Sequence, residues 1–549
     1  MRPLPPWRAP VSRCTVIPAL ALIALAHAAP AQTLDPARAL RIDSVFAAYA
    51  TPTSPGCALA VTRRGTIVYE RGYGMASLEQ NVPITPRTVF DLGSVSKQFT
   101  AASVLLLQLD GKLSLDDDVR RYLPELPSLG ATVTLRHLIT HTSGWRDYND
   151  LLAMDGFDER DHTTDRDAWD SLVRQRALNF QPGATFRYSN TGFFLLGEVV
   201  KRVTGRSLAA FAEERIFSPL GMSHTRYLDD TRQIVPGRAT AYAPAANGFV
   251  VEMSNWDQVG DGAVQSSVED LARWEANFDS GVVGGSRLME LLLTNGRLSD
   301  GMEIAYTAGL SKTTYRGVAV VSHGGAWAGY RAQLARVPAE RVGVLITCNR
   351  ADAGTGNLSN RVLGALLTLE APQPIATANG EQHEGFFVSD ATGSTATFET
   401  RGDTLFQATG AQRLPYARTG DGTFVNAVAT VRLRFTGTRV IRTALGDVAD
   451  TLAPSARVTT LPNDRLADYV GTYSSPEIAT SYRVMVRDSA LVLRRSHGDD
   501  VPLAAVYPDG FDAESLPTIR FVRDARGRVT AMSFTGRGIH DLRLARRSG

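Results

Sequence analysis

Residues 90–111 read FDLGSVSKQFTAASVLLLQLDG, and a serine and a lysine stand near the start of this stretch. Apolar residues then recur at helical spacing, which predicts a helix from about Ser94 to Asp110. One turn of such a helix places Ser94 and Lys97 on the same face. A serine hydroxyl becomes a nucleophile when a base removes its proton, and a lysine in a dry site can be that base. The pair also fits a simpler hypothesis, in which Ser94 caps the helix and Lys97 points into solvent.

Lysine is scarce in this chain, which makes Lys97 informative. Only four of the 58 basic residues are lysines, and Lys97 alone has a serine three positions earlier. The net charge is +2 and no long run of like charge occurs, so the composition gives no indication of nucleic-acid binding. A chain of 549 residues is long enough for several domains with sizeable cores.

Two further motifs could supply partners for the serine and the lysine. The sequence YSN at 188–190 is the single Tyr-x-Asn among sixteen tyrosines. A tyrosine close to a lysine can exchange a proton with it, and an asparagine can bind both the lysine and a substrate amide. The sequence HGG at 323–325 follows an apolar run that predicts a strand, where glycines allow close approach of another backbone. Each motif alone also fits a plain turn, with Asn190 as a helix N-cap or the glycines as a strand end.

The three motifs in this order, Ser-x-x-Lys, Tyr-x-Asn and His-x-Gly, resemble those of the penicillin-binding protein and serine β-lactamase superfamily. The stretches LRHLITHTSGW, QPGATFRYSNTGF and HGGAWAGYRAQLARVP are similar to the branch that contains class C β-lactamases, DD-carboxypeptidases, D-aminopeptidases and esterases. The resemblance covers residues 36–368. It implies an α+β fold, in which a β-lactamase/transpeptidase-like antiparallel sheet carries a helical insertion, and it implies no metal and no cofactor.

The resemblance also implies a role for each motif residue. Ser94 would be the acylated nucleophile, and Lys97 would accept its proton. Tyr188 would act as general acid and base, first toward the leaving group and then toward the hydrolytic water. Asn190 would hold Lys97 and the substrate, and His323 would shape the proton network around Tyr188.

The third motif and its surroundings are predicted to bind the substrate. The resemblance implies that the backbone N–H groups of Ser94 and Ala326 form the oxyanion hole, where loss of one donor typically lowers the rate by about 10²–10³-fold. Gly324 and Gly325 would let the substrate backbone lie against the strand. Trp145 and Tyr148, which follow HTSG, are predicted to line the cleft, with a place in the protein core as the alternative for each.

One departure from the family bears on the substrate. No Lys-Thr-Gly sequence occurs, and Gly324 stands where relatives carry a hydroxyl for the substrate carboxylate. His323 need not be charged at neutral pH. We therefore expect a D-aminopeptidase-type reaction on N-terminal D-residue amides, small peptides or esters, and such substrates could derive from peptidoglycan. Arg331 could replace the missing contact, which leaves a β-lactamase, a DD-carboxypeptidase or a slowly deacylating penicillin- or peptidoglycan-binding protein as alternatives.

Composition divides the chain into five predicted parts. Residues 1–31 combine a basic start, an apolar run too short to span a bilayer and small residues for cleavage, which predicts a signal peptide. We therefore expect a periplasmic or secreted protein without a stable membrane anchor after cleavage. Residues 32–369 form the hydrolase-like domain, and 370–382 read as a linker rich in Pro, Ala and Gly. Residues 383–460 and 461–549 predict two small all-β units because similar residues recur at an offset of 86, although generic strand patterning would also produce such matches.

Two cysteines outside the predicted signal peptide and one pair of histidines could have structural or metal-binding roles. Cys57 and Cys348 each lie in an apolar run typical of a strand, which favours two buried thiols over the alternative of a single disulfide bond. His137 and His141 are spaced like the histidines of a zinc-binding helix. No glutamate follows His137 and the sequence indicates no third ligand, so we interpret both as capping or packing residues.

Overall fold

The structure is a computed structural model that describes residues 34–369 and, with short gaps, residues 383–547. The gaps are at 390, 403, 410–411, 420–421, 427–430, 445–449, 514–515 and 537. The predicted signal peptide, residues 1–31, and the predicted linker, residues 370–382, therefore lie outside the described residues. In the part of the chain that is described, no helix is both long and apolar enough to cross a membrane.

Residues 34–369 form one unit of strands and helices. Its strands are β1 Cys57–Arg63, β2 Thr66–Tyr73, β3 Met75–Ser77, β4 Val82–Pro83, β5 Phe90–Asp91, β6 Arg226–Tyr227, β7 Tyr242–Ala245, β8 Gly248–Val251, β9 Val264–Ser266, β10 Ser311–Tyr315, β11 Val318–Trp327, β12 Tyr330–Val337 and β13 Val342–Cys348. Its α-helices are α1 Pro36–Val45, α2 Lys97–Leu109, α3 Leu135–Ile139, α4 Tyr148–Asp155, α5 Asp165–Val173, α6 Asn190–Thr204, α7 Leu208–Ala212, α8 Ser218–Leu220, α9 Val268–Ser280, α10 Gly285–Leu292 and α11 Thr355–Leu366.

The centre of this unit is a six-stranded antiparallel sheet in the order β10-β11-β12-β13-β1-β2. Strands from the start and the end of the unit pair through β1 and β13, and most helices lie between β2 and β10 in the chain. All residues of β13 are buried, since helices cover both faces of the sheet there. The predicted α+β fold, an antiparallel sheet with a helical insertion, is confirmed.

The two cysteines form a disulfide bond, so the expectation of two free thiols was wrong. Cys57 begins β1, Cys348 ends β13, and the register of the antiparallel pair places them directly opposite each other. The two residues are 291 positions apart, and no local pattern indicates that their strands are neighbours. The pairing therefore depends on the register of the sheet.

Replacing both cysteines by alanine should lower the free energy of unfolding by about 2–5 kcal/mol, because the bond restricts the unfolded chain. Urea denaturation of the wild type and of the Cys57→Ala/Cys348→Ala variant measures the difference. Cys57→Ala alone is the matched control, and it should lose a similar amount. A double variant that unfolds at the wild-type urea concentration would contradict this contribution.

Helix α2 lies inside the helical layer and is buried on all sides along residues 97–107. The sequence pattern predicted only one apolar face, and the difference arises because α6, α7 and α10 surround the helix. Its polar side chains find partners inside the protein: Thr100 donates to the carbonyl oxygen of Gly260 at 2.5 Å, and Gln98 accepts the Trp274 indole N–H at 3.0 Å. Buried polar groups with fixed partners hold the helix, and with it the preceding turn, in one position.

Two closed eight-stranded barrels follow, and they confirm the predicted small all-β C-terminal domains. The first consists of β14 Gly385–Ser389, β15 Thr395–Arg401, β16 Thr404–Thr409, β17 Gln412–Arg418, β18 Phe424–Asn426, β19 Val431–Thr436, β20 Arg439–Ala444 and β21 Asp450–Pro454. A short helix, α12 Asn463–Leu466, precedes the second, which consists of β22 Gly471–Ser474, β23 Ser481–Arg487, β24 Ala490–Arg494, β25 Val501–Tyr507, β26 Gly510–Asp512, β27 Thr518–Arg523, β28 Val529–Gly536 and β29 Ile539–Arg546. The first strands of the two barrels begin 86 residues apart, which is the offset seen in the sequence.

The second barrel packs directly on α4 and the segment before it. Arg146 and Glu477 form an ion pair in which the arginine is buried. The carboxylate of Asp155 accepts the backbone N–H groups of Ala479 at 2.7 Å and Thr480 at 3.2 Å. Apolar residues of this barrel and of the first unit also belong to one continuous core. The sequence did not predict this contact, which brings the second barrel next to the motif residues.

Candidate active site

Ser94 lies on a tight turn that connects β5 to α2. The turn is a 3₁₀ segment, Gly93–Ser96, in which Gly93 has a φ of +49°, a conformation that favours glycine. Asp91 fixes the turn, because it accepts the Gly93 N–H at 2.7 Å and the Gln265 side-chain amide at 2.6 Å. The N-cap position of α2 is Ser96, which does not fit the hypothesis that Ser94 caps the helix. Ser94 is instead presented, partly exposed, on a rigid backbone.

Lys97 is completely buried, and its amine contacts three acceptors. The Nζ atom lies 3.0 Å from Ser94 Oγ, 2.8 Å from Asn190 Oδ1 and 2.7 Å from the carbonyl oxygen of Asp261. The amide oxygen of Asn190 and the carbonyl oxygen of Asp261 can only accept, so each takes an N–H of Lys97, and these two contacts hold the amine against Ser94 Oγ. Lys97 is therefore within hydrogen-bond reach of the hydroxyl proton that a general base would remove. The alternative in which Lys97 points into solvent was wrong.

Asn190 reaches Lys97 because it is the first residue of α6 and not its N-cap, a position that Ser189 occupies. The backbone N–H of Asn190 donates to the carboxylate of Asp147. Burial raises the pKa of Asp147, and the hydrogen bond from Asn190 opposes this shift. The backbone N–H of Asp147 donates in turn to the carbonyl oxygen of Gly538, in the second barrel, at 3.0 Å. Asp147 was not predicted as a site residue, because nothing in its sequence neighbourhood distinguishes it from other aspartates.

The ring of Tyr188 lies next to Lys97 and packs against His141. Lys97 Nζ is 4.9 Å from the centroid of the Tyr188 ring, and the centroids of Tyr188 and His141 are 4.2 Å apart. His141 Nδ1 accepts the backbone N–H of Ser189 at 3.2 Å, and burial lowers the pKa of His141 well below its usual range. His141 is therefore a neutral packing residue. Tyr188 itself is 37% exposed, so a substrate can reach it.

His323 is neutral and is oriented by two hydrogen bonds. Its Nδ1 lies 2.6 Å from the carbonyl oxygen of Gly324, which can only accept, so Nδ1 carries the proton. Nε2 then accepts the hydroxyl of Tyr306 at 3.0 Å. Burial and the nearby charge of Lys97 lower the pKa of His323 to about 4. His323 therefore adds no positive charge at neutral pH, and Tyr306, which the sequence analysis missed, fixes its orientation.

Strand β11 approaches the Ser94 turn closely because two positions lack a side chain. A Cβ at Gly325 would clash with the carbonyl oxygen of Leu92 and lie 3.2 Å from the backbone nitrogen of Ser94. A Cβ at Gly93 would lie 2.7 Å from the backbone nitrogen of Ala326. Gly325 thus permits packing of the strand on the turn, whereas the prediction gave it a role toward the substrate. The same packing brings together Ser94 and Ala326, whose amides are the two predicted oxyanion donors, and both residues line the cleft.

The edge of β11 beyond Ser322 is open. Strand β10 pairs with β11 only as far as Ser311 opposite Ser322, and within the described residues no strand continues along that edge. An extended substrate can therefore lie along the backbone of residues 323–327. A Cβ at Gly324 would meet the side chain of Gln333 on β12 at 3.1 Å. Gly324 therefore contributes its backbone to this edge.

Two predicted residues do not reach the cleft. Trp145 is 3% exposed and belongs to the hydrophobic core, which was the alternative to the predicted place in the cleft. Tyr148, which was predicted with it, does line the cleft. The guanidinium group of Arg331 donates to the carbonyl oxygens of Ala328 at 2.7 Å and Tyr330 at 2.6 Å. Arg331 is thereby bound to its own loop and does not replace the missing hydroxyl.

Two adjoining cavities form the cleft and share Asn149, Asn190, Trp256 and Trp327. The inner pocket has a volume of about 170 Å³, and its walls include Ser94, Tyr148, Asp261 and Ala326. The outer chamber has a volume of about 1330 Å³, and its walls include Arg187 and Tyr188 from the first unit, Gln407 and Arg442 from the first barrel, and Gly538 and His540 from the second. Both barrels thus help to enclose the space next to Tyr188, which the sequence did not predict.

Residues 42–368, more than half of the chain, match the Beta-lactamase family. The chain belongs to this family. The match contains all three motifs and ends before the two barrels, so the predicted family is confirmed. The matched residues include Ser94, Lys97, Tyr188 and Asn190, which the fold brings together from distant parts of the chain.

Two curated relatives of this chain are D-aminopeptidases. A D-aminopeptidase of Gluconobacter oxydans is 32% identical over 347 residues, which is 63% of this chain and 65% of that protein, just under two thirds of its length. A D-aminopeptidase of Cereibacter sphaeroides is 29% identical over 476 residues, 85% of this chain and 88% of that protein. The octameric penicillin-binding protein homologue from Pyrococcus abyssi has a TM-score of 0.55 at 22% identity over 76% of this chain and 99% of that chain, which is a likeness of fold. The prediction of a serine hydrolase is confirmed.

Proposed function

We propose that this protein is a D-aminopeptidase-type hydrolase, which removes one N-terminal residue from a small peptide, amide or ester through an acyl-enzyme on Ser94. The proposal rests on the division of the cleft into an inner pocket and an outer chamber. Ser94 and Ala326 line the inner pocket, whereas Tyr188 lines the outer chamber. Because a general acid must reach the leaving group, the leaving group occupies the chamber and the acyl group occupies the inner pocket.

The contacts support a complete reaction cycle. Lys97 accepts the hydroxyl proton of Ser94 as Oγ attacks the substrate carbonyl carbon. The N–H groups of Ser94 and Ala326 stabilise the resulting oxyanion. Tyr188 donates its proton to the departing amine or alcohol and regains one from Lys97, whose amine lies beside its ring. A water then attacks the acyl-enzyme, its proton passes to the same pair, and Ser94 recovers its hydroxyl.

The size of the inner pocket favours a single residue as the acyl group. Its volume of about 170 Å³ is close to that of an engineered cavity of about 150 Å³ that binds benzene. The rings of Trp256 and Trp327, with centroids 5.2 Å apart, form part of its wall. A longer acyl chain, as in the substrate of a DD-carboxypeptidase, exceeds this space. Pocket size thus favours an aminopeptidase.

Asp261 provides the negative charge that an N-terminal ammonium group requires. Its carboxylate accepts the hydroxyl of Tyr148 at 3.1 Å, and both residues line the inner pocket. Burial raises the pKa of Asp261 to about 6, with the charge of Lys97 opposing the shift. The carboxylate is therefore mostly ionised at neutral pH and can pair with the substrate amine. The D configuration is supported by the two relatives, which are D-aminopeptidases.

A panel of substrates tests the proposal on the purified full-length protein. D-Alanine amide should be hydrolysed faster than L-alanine amide, and acetylation of its amine should lower kcat/KM by at least about tenfold, because the charged hydrogen bond is lost. Faster cleavage of N-acyl-D-Ala-D-Ala would instead indicate a DD-carboxypeptidase, and faster cleavage of nitrocefin a β-lactamase. A stable nitrocefin adduct in the intact mass, without turnover of any substrate, would indicate a penicillin-binding protein.

Asp261→Asn should raise KM for D-alanine amide by about 10–100-fold, because a neutral side chain pairs only weakly with the ammonium group. In the wild type, kcat/KM should fall as the pH drops below about 6, where Asp261 becomes protonated, and the variant should lack this decrease. N-acetyl-D-alanine amide is the control substrate, since it carries no ammonium group. An unchanged KM in the variant, or a wild-type profile that is flat across pH 6, would contradict this role.

Export belongs to the same proposal. The basic, apolar and small-residue pattern at the N-terminus supports a signal peptide, and the Cys57–Cys348 disulfide fits an oxidising compartment such as the periplasm or the cell exterior. Peptidoglycan-derived peptides, which carry D-residues, are the candidate substrates there. Cell fractionation with N-terminal sequencing of the mature protein tests this point, and an uncleaved cytoplasmic protein would contradict it.

A further inference from the structure

We infer that Arg187 binds the terminal carboxylate of the leaving group, so that peptides with a free C-terminus are better substrates than the corresponding peptide amides. This inference rests on the proposed function, because it places the leaving group in the outer chamber. Arg187 directly precedes Tyr188, the predicted general acid, and both line that chamber. The carboxylate of a leaving group of one or two residues would therefore lie beside this cation.

The position of Arg187 is fixed while its charge stays available. Its backbone N–H donates to the carbonyl oxygen of His141 at 2.9 Å, and its side chain is half-buried. Within the described part of the chain, no carboxylate is hydrogen-bonded or ion-paired to Arg187. Arg442, also in the chamber wall, differs because its guanidinium group lies 2.8 Å from both Asp450 and Ser394. Of these two arginines, Arg187 is the one that can bind a ligand without breaking an ion pair.

The acidic side chains of the chamber do not compete for Arg187. Each interacts with another group: Asp147 with the Asn190 N–H, Asp150 with the Gly538 N–H, Asp158 with Arg160, Glu159 with the charge of Arg331, and Asp450 with Arg442. His540, across the seam in the second barrel, has its pKa lowered by burial and then by the charge of Arg187. His540 is therefore neutral at pH 7 and adds no positive charge beside Arg187.

A contact between Arg187 and the substrate carboxylate would replace the hydroxyl that the third motif lacks at Gly324. Arg331 was considered as the replacement from the sequence, but its guanidinium group is bound to the carbonyl oxygens of its own loop. Arg187 directly precedes the second motif and lines the outer chamber beside Tyr188. A guanidinium group binds a carboxylate with two parallel N–H donors, which also orients the leaving group. The recognised chemistry is a peptide with a free α-carboxylate.

The test compares D-alanylglycine with D-alanylglycine amide, which share the acyl group and the scissile bond and differ in the terminal charge. Arg187→Gln should lower kcat/KM for the free dipeptide by about 10–100-fold, mainly through KM, and change that for the amide by less than about twofold. Arg187→Lys should retain part of the preference because the charge remains. Arg166→Gln, which removes an arginine that is 87% exposed on α5, is the matched control and should change neither substrate.

Three outcomes overturn the inference. Equal losses on both dipeptides would show a structural role for Arg187, and thermal unfolding of the variant would reveal the accompanying loss of stability. No loss on either dipeptide would show that Arg187 does not bind the carboxylate. In both cases, hydrolysis of D-alanine amide by the wild type would leave the proposed aminopeptidase activity standing. A wild type that hydrolyses none of the D-alanyl substrates would refute the proposed function and this inference together.

Discussion

Ser94→Ala should lower kcat on D-alanine amide by on the order of 10⁴–10⁶-fold, since loss of the nucleophile disables the residues that act with it. Ser94 is partly exposed, and among the described residues its hydroxyl is hydrogen-bonded to Lys97. The variant should therefore fold normally. Initial rates with D-alanine amide measure the loss, and intact-mass spectrometry with a slowly hydrolysed ester shows whether an acyl adduct forms on the wild type alone.

The control for this variant is Ser280→Ala, which removes an exposed hydroxyl at the last residue of α9. It should keep wild-type activity, and both variants should unfold near the wild-type temperature. Retention of more than about a tenth of the activity by Ser94→Ala would exclude the acyl-enzyme mechanism, because no general base or oxyanion hole compensates for a missing nucleophile.

Lys97→Met should lower kcat by about 10⁴-fold, the upper end of what a general base contributes. Methionine fills the buried space but offers no lone pair to the Ser94 proton. It also leaves Asn190 Oδ1 and the carbonyl oxygen of Asp261 without their donor, which should cost about 1–3 kcal/mol of stability for each acceptor. Initial rates and urea denaturation measure the two effects separately.

The Lys97→Arg variant distinguishes between two roles of Lys97, that of a general base and that of a charge that only positions other groups. Arginine keeps the positive charge and the hydrogen-bond donors but does not lose its proton at neutral pH, so this variant should be as inactive as Lys97→Met. Lys112→Met removes an exposed lysine beyond the end of α2 and should leave the activity unchanged. Substantial activity in Lys97→Arg would show that the lysine acts by position or charge and that another group takes the proton.

The sequence predicted the parts of the site that depend on local geometry. Ser94 and Lys97 are three residues apart, and the helical turn between them fixes the 3.0 Å contact of their side chains. The order of the three motifs identified the family, and with it the antiparallel sheet and the inserted helices. The offset between the two β units was visible because each barrel repeats the same succession of strands.

The parts that the sequence missed involve residues brought together from distant positions. Asp147 and Asp261 look like ordinary aspartates, and their roles appear only where Asn190 and Lys97 meet them. Tyr306 orients His323 from a loop that carries no motif. The burial of α2 on all sides was also not predicted. The spacing of apolar residues indicates which face of a helix is apolar, but it does not indicate how many other helices pack around it.

The sequence by itself determined the family and predicted the nucleophile and its base, because these follow from short spacings that a helix or a motif preserves. Only the tertiary structure decided that Cys57 and Cys348 are bonded, that Arg331 is bound to its own loop and that Arg187 faces the chamber. It also decided that both barrels help to enclose the outer chamber next to Tyr188. The physical reason is that register and domain packing set contacts between residues hundreds of positions apart, and a side chain's partners there are invisible in its own sequence neighbourhood.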